Sequence, residues 1–170
     1  VALAARVGDG KTHEDLARAL NGGDYSPRAE QVEVAVTGLR TPPKDLASAL
    51  AQHTAFLSTA CDAARTLQLP PNTMIVAGMG TDTEVSRYGA RWRMAGHARA
   101  LPEAVREAAR DAFIPALRAE GVLGTMPNIV ANRVNAQLDA HGPSFTVSAE
   151  ELSGLRALRV AADALANGSA

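Results

Sequence analysis

Cys61 and His53 stand eight residues apart and are the first pair whose types could do chemistry, an imidazole drawing the proton from a thiol to make a nucleophile. The apolar periodicity around them predicts a helix. At 1.5 Å rise per residue that helix separates the two by ~12 Å, too far for direct proton transfer. A packed core thiol is the reading that remains. The other histidines, His13, His97 and His141, fall at no metal-ligand spacing, and no metal is expected. Gly78-x-Gly80 after an apolar run would let backbone approach a pyrophosphate, but Thr83 stands where a dinucleotide fingerprint needs its third glycine. A tight turn is predicted there. Tyr88-Gly-Ala-Arg-Trp-Arg93 interleaves aromatics with cations, as a base-stacking surface would. In a chain with 17 Lys and Arg against 18 Asp and Glu, it reads instead as an arginine-bearing helix face around a half-buried Trp92. Ser148 and Glu151 form an S-x-x-E capping box, which sets the carboxylate at a helix's positive end.

The elements that must position these groups follow from composition and pattern. The net charge of −1 excludes electrostatic nucleic-acid binding as the main activity. Apolar residues make up 46% of 170, enough for one core, and a single domain over 1–170 is expected. No apolar run reaches the ~20 residues of a membrane span. One cysteine excludes an internal disulfide, and no leader-like segment opens the sequence, so a cytoplasmic location is expected. Aromatics at 4% favour helices laid on a sheet over an aromatic-rich β sandwich.

Short apolar runs at 1–7, 31–36, 74–77 and 145–147 predict strands. Thr12 and Asp15 form a capping box for a first short helix. Pro42-Pro43 opens a helix of about six turns, its buried stripe running Leu46, Leu50, His53, Leu57, Cys61, Ala64 and Leu67. Residues 84–120 read as helical, with Pro102 opening a second segment and Pro115 ending or kinking it. Thr125 caps a helix from Pro127, with Ile129, Val130, Val134 and Leu138 inward. A last helix starts at Ser148, with Leu152, Leu155, Leu158, Ala162 and Leu165 as its inward face. Strands alternating with helices imply a layered α/β domain.

The stretch Gly142-Pro-Ser-Phe-Thr-Val-Ser-Ala-Glu-Glu-Leu-Ser-Gly-Leu-Arg-Ala-Leu158 resembles the nucleophile strand and elbow of the β-ketoacyl synthase domains of polyketide and fatty acid synthases. Their wording is G-P-x-x-T-V-D-T-A-C-S-S-S-L-x-A-L, matched here at Gly142, Pro143, Thr146, Val147, Ser153, Leu155, Ala157 and Leu158. Upstream, Thr37-Gly-Leu39 and Gln52 resemble the family's F-G-I stretch and D-P-Q-Q helix. Val76-Ala-Gly-Met-Gly80 resembles its V-G-x-x strand end, and Asn132-Arg133 sits where the family has an arginine before the G-P turn. Met126-Pro-Asn128 and Ser148-Ala-Glu-Glu-Leu-Ser-Gly154 look closer to ketosynthase-like and chain-length-factor domains of polyunsaturated fatty acid and glycolipid-type synthases than to standard modular ones.

The resemblance implies an α/β fold, the N-terminal half of the thiolase-like α-β-α-β-α sandwich. It places Glu151 at the position of the acyl-accepting cysteine. A carboxylate cannot hold the chain as a thioester, so elongation by this residue is not expected. No H-G-T-G-T or N-x-G-H stretch supplies the two family histidines, so no catalytic residue is assigned. In the family the strand before the elbow pairs with its twin across a dimer axis, which assigns Phe145, Thr146 and Val147 to an interface. The implied role is a non-elongating, truncated ketosynthase-like domain that serves structure, docking or dimerisation. The alternative is part of a longer chain-length-factor or malonyl-decarboxylating subunit. Partners would be other synthase domains or a partner ketosynthase, in a homo- or heterodimer, with an acyl carrier protein possible. No cofactor is expected beyond a carrier's phosphopantetheine. A small-molecule-binding α/β domain remains if the match is accidental.

Overall fold

Two short parallel strands organise the molecule: β1 (Ile75–Gly78) and β2 (Ser144–Val147), with Val76 opposite Phe145. The computed structural model describes residues 2–6, 12–22 and 33–169. Ahead of β1 the order is α1 (His13–Gly22), α2 (Pro43–Ala47) and α3 (Ala51–Ala64). Between the strands come α4 (Val85–His97), α5 (Glu103–Phe113), α6 (Ala119–Thr125) and α7 (Pro127–Leu138). After β2 a single 3-10 turn, Glu150–Leu152, runs into α8 (Ser153–Ala166). Parallel strands joined by helical crossovers are the α/β arrangement the alternation predicted.

The strands at 74–77 and 145–147 form within a residue of their predicted bounds. The other two do not. Residues 2–6 and 33–36 carry no strand, and the rest of those two predicted strands lies outside the described residues. The first of these runs follows a helix instead of joining the sheet. Arg6 donates to Ser58 Oγ at 3.0 Å and to Asp62 Oδ2 at 3.1 Å, which ties 2–6 to α3.

The predicted six-turn helix is two helices, although its stripe is right: Leu46, Leu50, His53 and Leu57 are all buried. The interruption at 48–50 is where α6 presses in. Leu50 N–H donates to the Gly124 carbonyl at 3.0 Å, and a Cβ on Gly124 would lie 2.5 Å from Ala49 Cα. A long-range partner therefore took the amide that helix continuation would have used. Leu67, the far end of the stripe, is exposed beyond the end of α3.

α5 ends at Phe113, and Ile114 is extended with φ −159° because the residue before Pro115 is crowded out of the helical region. Thr125 does not cap α7. Its hydroxyl donates to the Val122 carbonyl at 2.8 Å, closing α6, and Met126 takes the cap position. The Thr12–Asp15 box forms in both directions, Thr12 N–H to Asp15 Oδ2 at 3.0 Å and Asp15 N–H to Thr12 Oγ1 at 3.2 Å.

Leu46, Leu57 and Val134 form the buried centre, with Leu39, Phe56, Cys61, Ile75 and Leu138 packed on it. Ile75 points into this α3–α7 core. Gly78, three residues on and so on the opposite face of the strand, lies under α8. The sheet is thus covered by α7 on one side and α8 on the other. The expected inward face of α8 is overturned: Ser153 and Ala157 are buried, while Leu155, Leu158 and Leu165 are 65%, 67% and 69% exposed. Small residues face the sheet because the glycine-bearing strand end lets the helix backbone sit directly on it. Trp92 on α4 is 80% exposed rather than half-buried. Among the described residues no helix is long and apolar enough to cross a membrane.

Candidate functional site

The bend between β2 and α8 is held by backbone pairing on one side and a side-chain hydroxyl on the other. Pairing with β1 extends past both strand ends, with Ile75 N–H donating to the Pro143 carbonyl at 2.9 Å and Met79 N–H to Val147 at 3.0 Å. The strands are parallel, so their C-terminal ends meet at one edge, where crevices of open α/β sheets form. Glu150 turns the chain there with φ +49°, a left-handed conformation that is rare outside glycine. Ser153 stitches the bend: its hydroxyl accepts the Ala149 N–H at 2.9 Å and donates to the Glu150 carbonyl at 2.6 Å.

That bond corrects one sequence expectation. The cap positions are Ala149 for the 3-10 turn and Leu152 for α8, neither with a side-chain cap bond, so the Ser148–Glu151 box is not formed. Ser153 instead accepts the Ala149 N–H, an amide outside that box, and the helix begins five residues later than expected. No local pattern marks this bond, because it depends on the left-handed turn at Glu150.

Glu151 sits in the middle of the 3-10 turn, exposed, between the strand and the helix. A carboxylate here can accept hydrogen bonds or carry charge. It offers no soft nucleophile for thioester exchange. Gly78 at the end of β1 and Gly80 just past it face this bend: a Cβ on Gly78 would lie 2.5 Å from the Ser153 carbonyl, and one on Gly80 3.7 Å from that of Glu150. The glycine pair is therefore a seat for the helix start, where only a turn was expected.

Cys61 and the buried imidazole of His53 both lie on α3. Cys61 is half-buried, and burial followed by the Asp62 charge pushes its thiol upward. His53 is 1% exposed, and both ring nitrogens lack a hydrogen-bond partner. Burial first, then the nearby Arg133 charge, pulls its pKa down to about 4 against a smaller opposing effect of Asp82. A neutral imidazole and a thiol held protonated make no nucleophilic pair. Among the described residues no three His, Cys, Asp or Glu side chains converge on one point.

Phe145, Thr146 and Val147 are half-buried in β2, and Thr146 Oγ1 donates to the Pro127 carbonyl at 2.9 Å. Only one edge of β2 is paired, by β1, among the described residues. An apolar groove of about 750 Å³ opens between α3, β1 and α8 and is lined by Phe56, Ala60, Leu67, Met74, Val76 and Leu165. It lies toward the start of β1 and the end of α8, the opposite end of the sheet from Glu151.

The family model described as "Beta-ketoacyl synthase, N-terminal domain" matches residues 40–170. That span holds both strands, the Glu150–Leu152 bend and α8. No curated protein matches the chain.

Proposed function

The chain belongs to the β-ketoacyl synthase N-terminal domain family, and we propose that it is a non-elongating member with a structural, docking or dimerisation role in a polyketide or fatty acid synthase. The observation that carries this reading is Glu151, a carboxylate at the bend between β2 and α8. In the family likeness this is where an acyl-accepting cysteine belongs. Transfer of an acyl chain to a carboxylate gives a mixed anhydride, far more prone to hydrolysis than the thioester the condensation uses. Cys61 is no substitute, since it lies on α3 within the core packing.

Two features support a scaffolding part. The outer edge of β2 is unpaired among the described residues, and in this reading Phe145, Thr146 and Val147 pair there with a strand of another subunit. The leucine face of α8 is exposed, as expected of a surface that further protein covers. A partner ketosynthase or another synthase domain would occupy these surfaces, and an acyl carrier protein would deliver any acyl group.

The exposure of Glu151 also favours a second reading, part of a longer chain-length-controlling or malonyl-decarboxylating subunit, in which the carboxylate shapes the site without bonding to substrate. Supplying acyl- and malonyl-carrier-protein thioesters to the chain separates the outcomes. The first reading expects neither condensation nor carbon dioxide release. Release of carbon dioxide without condensation would favour the second, and condensation would overturn both.

A further inference from the structure

Helix α4 has one face that packs on nothing else among the described residues. Its inner face is committed: the Arg87 guanidinium lies 5.1 Å above the Phe113 ring and pairs with Glu84. Arg91 donates to the Asp111 carboxylate at 2.6 Å and to the Ile114 carbonyl. The opposite face carries Ser86, Gly89, Trp92, Arg93 and Gly96, spaced at three and four residues and all exposed. Trp92, the chain's single tryptophan, stands 80% exposed at its centre. A large aromatic ring left in water is uncommon unless something else covers it.

The glycines beside it add a second observation. Gly89 and Gly96 have ordinary backbone angles, and a Cβ on either would meet nothing within 4 Å. Neither chain reversal nor internal packing requires glycine at these positions, yet each costs the helix up to about 1 kcal/mol relative to alanine. They lie one turn before and one turn after Trp92, ~10 Å apart along the axis, the width of a crossing helix. Glycine on either side of Trp92 leaves both flanks of the indole open to a partner's side chains.

Charge says what kind of helix. From Val85 to Pro102 the sequence has four arginines and no Asp or Glu, in a chain whose net charge is −1. Arg87 and Arg91 have their carboxylates, whereas Arg93 and the exposed Arg99 just past α4 have none among the described residues.

We propose that this face of α4 is a docking surface for an acidic amphipathic helix of a partner protein. The partner sets an apolar side chain against Trp92, crosses α4 between Gly89 and Gly96, and places carboxylates against Arg93 and Arg99. The inference stands apart from the non-elongating reading, since it uses neither Glu151 nor the sheet.

Trp92 is its own reporter, because no other tryptophan contributes to the emission. The full chain is titrated with a synthetic helical Leu/Glu peptide and, separately, with a Leu/Lys peptide of equal length. The expected result is a saturable blue shift with the acidic peptide alone, weakening as salt rises from about 50 to about 500 mM. Gly89→Leu and the double change Arg93→Glu, Arg99→Glu should each weaken binding about tenfold or more, with helix content unchanged by circular dichroism. No shift with either peptide overturns the proposal, as does an equal response to both. A blue shift of the chain alone as its concentration rises also overturns it, in favour of a second copy of this chain.

Discussion

Gly78 and Ser153 touch backbone to backbone: a Cβ on the strand residue would lie 2.5 Å from the helix residue's carbonyl oxygen and 2.7 Å from Gly154 Cα. This contact sets the height of α8 above the sheet and, through the Ser153 hydroxyl, the shape of the bend that presents Glu151. It also explains why α8 meets the sheet with Ser153 and Ala157 and leaves its leucines outside.

Gly78→Ala should therefore destabilise the chain by about 1–3 kcal/mol, because rigid backbone on both sides cannot yield. Gly80→Ala meets only an ordinary contact at 3.7 Å and should cost less than about 1 kcal/mol. Urea unfolding of the two variants beside the parent measures the difference, and equal costs would refute the close seat.

His53 predicts an acid limb. Its pKa is about 4 in the folded chain and near its ordinary value of 6.5 in the unfolded one. Between these values the unfolded state binds the extra proton, so stability is full above pH 6.5 and falls as pH drops toward 4. The loss should approach about 3 kcal/mol. His53→Leu removes two unpartnered nitrogens at similar volume, so it should flatten this limb without lowering stability at pH 7. Thermal melts from pH 7 to 4 on both proteins check it.

The exposed leucines of α8 contribute little to the chain's own stability. Changing Leu155 and Leu158 to Glu should shift unfolding free energy by no more than about 0.5 kcal/mol each. Binding of a hydrophobic dye to the native chain should fall at the same time. A large loss of stability would place those side chains in an internal core.

Cys61 should alkylate slowly. Burial holds its thiol protonated, so iodoacetamide at pH 7 should modify the native chain well below the rate for a free cysteine, with full reactivity restored in urea. A fast native rate would reopen a nucleophilic role.

Much of this was legible beforehand because it rests on local chemistry. Apolar β-branched residues between breakers marked β1, the reciprocal Thr12–Asp15 box marked the start of α1, and Pro43 and Pro127 opened their helices. Leu46, Leu50 and Leu57 are buried as their spacing required, even though the helix they were assigned to is broken. The break itself had no local sign, since it depends on Gly124, far along the chain, taking the Leu50 amide. Long-range contact also decided α8. Its leucine periodicity is real, but the approach permitted by Gly78 turned the small-residue face to the sheet. At the bend, the placement of Glu151 between strand and helix was readable from the motif likeness. The Ser153 stitch was not, because it needs the left-handed turn at Glu150 to bring the hydroxyl back to Ala149.

The intact mass of the chain after incubation with acyl- and malonyl-pantetheine thioesters, a competent ketosynthase serving as positive control, bears most directly on the role of Glu151. The mass should stay unchanged, with no acyl group on residue 151 or on Cys61. A stable acyl adduct mapped to either residue would contradict the non-elongating role.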